Sequence, residues 1–161
     1  MKKFIILLLA ALMVFALCAC GGEKSSAPEP GTELSTFYQK VLEMQGEKAG
    51  ELIFFEESNP DLIAGFYPGL ENIELSQQAF YMPPVVTHPC EIVLVEVKNS
   101  GDVPAVEEIF QKRIDTGADN TNYPESADGW RLRAEVHTSG NFVCMIALPE
   151  GYTIPENVFE A

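Results

Sequence analysis

The sequence predicts an α+β fold: one domain in which helices pack against a largely antiparallel sheet of four strands. Three observations support this prediction. Apolar residues recur at helical spacing in the first and middle parts of the chain, and four segments have strand composition. The last two of these segments flank a short turn at 138–140, which is typical of a hairpin. The predicted domain covers residues 34–161 and follows two segments of different composition, 1–19 and 20–33.

Two helices are predicted in the first part of the domain. The first ends before Gly46 and has apolar residues at every third or fourth position: Leu34, Phe37, Val41 and Met44. The second covers residues 60–66, because Asn59 can cap it and Pro60 suits a first helical turn. Between them, residues 52–55 form a short apolar run, and its secondary structure is left open.

The middle of the domain is predicted to contain two strands and the longest helix. Residues 76–82 have strand composition and stop at two prolines. Residues 91–98, "EIVLVEVK", are apolar on both faces over their first half, so this strand is expected to lie centrally with cover on each side. A helix follows Asp102 and has Pro104 in its first turn and an apolar stripe: Val103, Val106, Ile109, Phe110 and Ile114.

The last part is predicted to hold a loop, a hairpin and a final helical turn. Residues 116–129, "TGADNTNYPESADG", are polar and have no apolar periodicity, so we expect a long loop. Strands are predicted at 131–137 and 141–148, and a helical turn at 155–160.

The first twenty residues predict an exported, lipid-anchored chain. Residues 4–17 are apolar and follow two lysines, which is typical of a secretory signal and too short for a settled membrane span of about 20 residues. The sequence Leu17-Cys18-Ala19-Cys20 resembles a bacterial lipobox. Cys20 has the required small residue before it and is the predicted lipidation site, so residues 1–19 are read as a lipoprotein signal peptide. The alternative is an uncut signal or an ordinary secreted protein.

Lipidation would place the protein on the extracytoplasmic face of a cell membrane. An acyl chain such as palmitate on Cys20 would be the membrane contact, and residues 20–33, rich in Gly, Ser and Pro, are predicted to form a flexible tether. No other cofactor is expected. The net charge of −14 makes nucleic acid and bare anionic lipid poor partners. Cys90 and Cys144 could form one disulfide or remain buried thiols.

Four stretches together resemble a known family: "YPGLENIELSQQAFYM", "EIVLVEVKNSGDVPAVEEIFQKRID", "GWRLRAEV" and "SGNFVCMIAL". They are similar, in this order and over roughly residues 33–150, to the bacterial lipoprotein family called domain of unknown function 4358. The resemblance implies a small envelope lipoprotein, in agreement with the lipobox. The resemblance implies no established activity and identifies no catalytic residues in this sequence.

Four side chains are candidates for a ligand-binding site. Arg113 falls on the apolar stripe of its helix, where an unpaired guanidinium is costly, so it must pair with an acid, bind carbonyl groups near the helix end or contact a ligand. Trp130, Arg131 and Arg133 form a basic and aromatic cluster that could stack on and bind an anion. The alternative is that the tryptophan closes the loop onto the core beside two solvated arginines.

Metal-binding sites have weaker support in the sequence. His88, Cys90, His137 and Cys144 are the atom types of zinc or copper sites but lack ligand spacing, and the acidic loop does not match a calcium loop. We therefore predict a non-catalytic binding or accessory module for an envelope protein or a small ligand. The alternatives are an envelope hydrolase or metal-dependent enzyme, and a structural component of wall or spore assembly.

Overall fold

The computed structural model describes residues 27–84 and 89–160. The predicted signal peptide, Cys18, Cys20 and His88 lie outside these residues. The helices are α1 Leu34–Met44, α2 Pro60–Phe66, α3 Val103–Ala118 and α4 Pro124–Arg133. The strands are β1 Phe55–Glu56, β2 Leu75–Met82, β3 Glu91–Val97, β4 Ala134–Ser139 and β5 Phe142–Ala147. No helix of the described ranges is long and apolar enough to cross a membrane.

The α+β prediction is confirmed, with one correction in the sheet. The strands are antiparallel in the order β1-β2-β3-β5-β4, so the sheet has five strands rather than the predicted four. The additional strand, β1, begins at Phe55, the last residue of the apolar run 52–55, and ends at Glu56. It pairs with β2 only through Phe55↔Met82 and Glu56↔Tyr81. Two residues cannot show the alternation by which a strand is recognised, and only pairing with β2 defines it.

The prediction that the "EIVLVEVK" segment lies centrally is confirmed. All seven residues of β3 are buried, and the strand lies between β2 and β5. Its valines face a core formed with α2, α3 and α4, whereas Ile92 and Leu94 face a second core formed with α1 and the C-terminal segment. The sheet is therefore covered on both faces.

The predicted loop at 116–129 is wrong. Helix α3 continues to Ala118, and most of the remaining segment forms α4, so β4 begins at Ala134 rather than at residue 131. Pro124 starts α4, Glu125 lies in its first turn and two arginines lie in its last turn, all of which favour a helix. The prediction missed α4 because the helix buries only three residues, Ser126, Ala127 and Trp130, and has no apolar stripe.

The C-terminal prediction also needs a correction. Residues 155–160 form one bend and one turn rather than a helical turn, with the Glu160 amide donating to the Asn157 carbonyl. Val158 and Phe159 are nevertheless buried in the second core. Packing of these two side chains holds the segment against the sheet without regular helical bonding.

The end of the predicted tether is bonded to the domain. The Gly31 amide donates to Glu96 Oε1 at 3.0 Å, and Gln77 Nε2 donates both to Glu96 Oε2 at 2.9 Å and to the Thr32 carbonyl at 3.1 Å. Glu96 is the buried carboxylate that joins these groups. Residues 29–32 therefore lie at the end of the sheet where β3 finishes and β4 turns into β5.

Candidate functional site

The predicted site residue Arg113 lies in a buried ion pair. Its guanidinium donates to both carboxylate oxygens of Glu91, with 3.1 Å between Arg113 Nε and Glu91 Oε2. The Tyr67 hydroxyl donates to the same oxygen at 2.8 Å. Arg113 is 8% exposed and Glu91 is fully buried. Of the three roles left open for Arg113, the structure shows the pairing with an acid.

Aromatic rings complete the surroundings of this ion pair. Arg113 Cζ lies 4.5 Å from the centroid of the Trp130 ring and 5.1 Å from that of Phe66, both within cation–π range. Trp130 packs against Gly117, where a Cβ atom would lie only 2.5 Å from the indole ring. Burial, and secondarily the Glu91 charge, raises the pKa of Tyr67 well above its usual value, so this hydroxyl remains a donor.

Sequence reasoning missed Glu91 and Tyr67. A signal for Glu91 was present, because strand alternation puts residue 91 on the same face as Val93 and Val95. That face packs against α3 and therefore against Arg113. Tyr67 follows α2 in a turn, and nothing in its local sequence distinguishes it from an ordinary core aromatic.

The predicted cluster of Trp130, Arg131 and Arg133 does not form one exposed patch. Trp130 is 2% exposed and belongs to the core. Arg131 is exposed, pairs with Asp128 at 2.7 Å and donates to the Ala118 carbonyl. Arg133 donates to three backbone carbonyls that follow β5: Leu148 at 3.1 Å, Pro149 at 3.0 Å and Tyr152. The protruding side chain of this stretch is Leu132, 80% exposed, which the sequence did not indicate.

A groove of about 440 Å³ lies beside α4 and is the candidate binding site. Pro89 forms one wall, α4 the second, and the segment after β5 the third. Its lining residues come from all three: Pro89, Glu125, Asp128, Gly129, Leu132, Arg133, Pro149 and Glu150. Its volume lies within the usual range of protein binding sites.

Each wall of the groove is held by a contact described above. The ion pair of Glu91 with Arg113 fixes the start of β3, two residues after Pro89, and the stacking of Trp130 on Arg113 fixes α4. Gly129 lets α4 approach Pro89, because a Cβ atom there would lie 2.5 Å from the proline ring. Arg133 ties α4 to the third wall. Of the predicted residues, Arg113 and Trp130 thus position the groove and Arg133 lines it, whereas Arg131 is exposed and is not among its lining residues.

The groove and the chain's first described residues lie at opposite ends of the sheet. Pro89 precedes β3, Arg133 precedes β4 and Pro149 follows β5, which places the groove at one end. Gly31 contacts Glu96 near the end of β3, and Gly140 in the hairpin turn approaches Ala27. The intervening strands span about 17 Å at about 3.4 Å per residue. A second hollow of about 450 Å³, between α2 and the start of β2, lies at the end that contacts residues 27–32.

Three of the described residues considered for catalysis or metal binding, Cys90, His137 and Cys144, are buried. Cys144 lies opposite His137 across the β4–β5 pair. Desolvation raises the pKa of the Cys144 thiol and lowers that of His137, although the nearby Glu135 carboxylate, 3.4 Å from His137 Nε2, opposes the second shift. A buried thiol that stays protonated is a poor nucleophile. Within residues 27–84 and 89–160, no group of three or more metal-ligating side chains occurs.

Cys90 and Cys144 are free thiols in the structure. The strand register explains why. Cys144 lies opposite Leu94, four residues after Cys90, which corresponds to about 13 Å along a strand. A disulfide needs Cα atoms about 4.4–6.8 Å apart. Burial, together with the charge of Glu91, raises the pKa of Cys90 to about 11, so this thiol is also protonated at neutral pH.

The segment that builds this site also matches a family model. The model for the domain of unknown function DUF4358 matches residues 62–148, more than half of the chain. The chain belongs to the DUF4358 family. The matched range contains Tyr67, Glu91, Arg113 and Trp130, so the buried cluster and most of the groove lie inside the family domain. No curated protein and no solved structure matched.

Replacing Arg133 with glutamine is expected to make the segment after β5, which forms the third wall of the groove, open more often. Loss of the guanidinium leaves the carbonyls after β5 without these donors, so hydrogen exchange at the bonded amides of Leu148, Tyr152 and Thr153 should increase about tenfold, equivalent to about 1.4 kcal/mol of opening free energy. Arg131→Gln removes the same charge from an exposed pair and is the matched control. Equal exchange in the two variants would contradict this role of Arg133.

Proposed function

We propose that the protein is a membrane-anchored extracytoplasmic lipoprotein. In this role it serves as a non-catalytic binding or accessory module for an envelope protein or a small ligand, and the groove beside α4 is its contact surface. The observation that carries the proposal is the position of this groove at the end of the sheet opposite residues 27–32.

The geometry supports this role in a simple way. A chain anchored through Cys20 would approach the domain from the end that holds Gly31, so the groove would face away from the membrane. At that end, a partner could reach the groove without displacing the tether. The lipobox-like sequence ending at Cys20 supports the anchor itself.

The anchor is tested by replacing its cysteine. In cells grown with radiolabelled palmitate, Cys20→Ala is expected to lose the label, because no acyl chain is then attached, and to keep residues 1–19, because the lipobox cleavage site is also lost. Cys18→Ala is the matched control, since the same change two residues earlier should leave both readouts unchanged. Retention of the label by the Cys20→Ala variant would refute the anchor, and so would loss of the label by both variants.

A further inference from the structure

The groove beside α4 has acidic walls. Glu125 and Asp128 line it from α4, and Glu150 lines it from the segment after β5. Asp128 pairs with Arg131, but neither Glu125 nor Glu150 has an ion-pair partner within the described ranges. Arg133 also lines the groove, yet its guanidinium is bonded to three backbone carbonyls. Carbonyl groups are neutral, so Arg133 keeps its positive charge, but it offsets only one of the two unpaired carboxylates, and the groove lining remains net negative.

An apolar side chain protrudes beside these carboxylates. Leu132 lines the groove and is 80% exposed, the largest exposure among the large hydrophobic residues of the described chain. A leucine that stands out from an open groove is covered best by a partner surface that extends beyond the groove. An extended peptide segment provides such a surface, and a compact small molecule held between the walls does not.

We propose that this groove binds a lysine- or arginine-containing segment of another envelope protein. The basic side chains face Glu125 and Glu150, and an apolar side chain of the segment covers Leu132. The inference rests on the proposed function, because it takes the groove as the contact surface of that module. The net charge of −14 further favours the approach of a cationic partner and slows that of an anionic one.

The proposal is tested in the host cell with the full-length protein. The photo-crosslinking residue p-benzoylphenylalanine replaces Leu132 in one strain and Leu62, an exposed leucine on α2, in a control strain. Crosslinked segments are identified by mass spectrometry. Two further strains carry the crosslinking residue at 132 together with a pair of charge-removing substitutions. One pair is Glu125→Gln with Glu150→Gln; the control pair is Glu43→Gln with Glu47→Gln, at two exposed acids outside the groove. Both pairs remove two negative charges.

We expect the Leu132 position to crosslink a protein segment rich in lysine or arginine with a neighbouring apolar residue. The Glu125 and Glu150 pair should reduce its yield about tenfold, while the Glu43 and Glu47 pair should leave it unchanged. Raising the salt of isolated membranes from about 0.1 M to about 1 M should weaken the crosslink, since the Debye length falls from about 10 Å to about 3 Å.

Four results would overturn the proposal: no adduct above the Leu62 level, adducts with lipid or glycan only, protein segments without basic residues, or equal loss in both charge-removal pairs. Fractionation of the same cells reports the membrane anchor separately. A chain found outside the membrane that still crosslinks a basic segment would refute the anchor and retain the groove assignment.

Discussion

Replacing Arg113 with methionine is expected to lower the free energy of unfolding by about 3–5 kcal/mol. The change leaves the Glu91 carboxylate fully buried with only the Tyr67 hydroxyl as a side-chain donor. It also removes the cation that lies over the Trp130 ring. Urea denaturation followed by circular dichroism measures the loss, and the midpoint should fall by more than about 1 M.

Two further variants separate the ion pair from a general effect on α3. Lys112→Met removes a neighbouring charge whose partner, Glu108, is exposed, so it should cost less than about 1 kcal/mol. The double replacement Glu91→Met with Arg113→Met should recover much of the stability, because neither partner then remains as a buried unpaired charge. Recovery should be incomplete, since Tyr67 loses its acceptor. A double variant as unstable as the sum of the two single variants would show that the pair is not coupled.

Replacing Gly117 with alanine is expected to destabilise the domain by about 1–3 kcal/mol. Its Cβ atom would lie 2.5 Å from ring atoms of Trp130, which is enclosed by α3, α4 and Arg113 and has little room to move. Trp130 is the only tryptophan in the chain, so its fluorescence reports the displacement directly. We expect a lower unfolding midpoint together with a changed emission spectrum of the folded state.

The matched control is the same substitution in another helix. Gly65 lies exposed on α2, and a Cβ atom there meets nothing within 4 Å. Gly65→Ala should therefore stabilise the protein by about 0.5–1 kcal/mol, because alanine loses less backbone entropy in a helix than glycine. Opposite signs at the two positions would show that contact with Trp130, rather than helix propensity, decides the effect at Gly117. A neutral Gly117→Ala variant with unchanged emission would contradict the packing described above.

The two predictions concern one set of contacts. Arg113 and Gly117 both touch Trp130, so their effects should not add when they are combined. The coupled residues lie directly behind the groove. Glu125, Glu150 and Leu132 instead lie on its surface, and their replacement should change stability by less than about 1 kcal/mol even where Glu125 leaves the first turn of α4, which makes these variants suitable for binding tests.

The strands and the longest helix could be predicted because their patterns extend over many residues. In β3, apolar residues on both faces of the strand predicted its central position, and in α3 the apolar stripe placed Arg113 on the side that faces the sheet. The predictions failed where the pattern was short or polar. β1 has two residues, and α4 buries only three, so neither has a periodicity that a sequence can display.

The candidate site was predictable only in part for a related reason. The charge of Arg113 on an apolar stripe and the place of Trp130 beside two arginines marked these residues as unusual, and a buried guanidinium needs a partner as a general rule. Which acid supplies the partner depends on the packing of α3 against β3. Leu132 was missed because no local sequence pattern marks a leucine as exposed. Its exposure depends on which side of α4 packs against the core, and that side carries Ser126, Ala127 and Trp130.

The sequence by itself determined the fold class, the family and the central strand, because these depend on distributed apolar patterns. It also predicts lipidation at Cys20 from a local motif. Only the tertiary structure decided that Glu91 and Tyr67 meet Arg113, that Cys90 and Cys144 stay apart and that Arg133 binds carbonyl groups. It also placed the groove opposite residues 27–32. Each of these depends on contacts between residues far apart in the chain, which strand register and helix packing fix and local sequence does not encode.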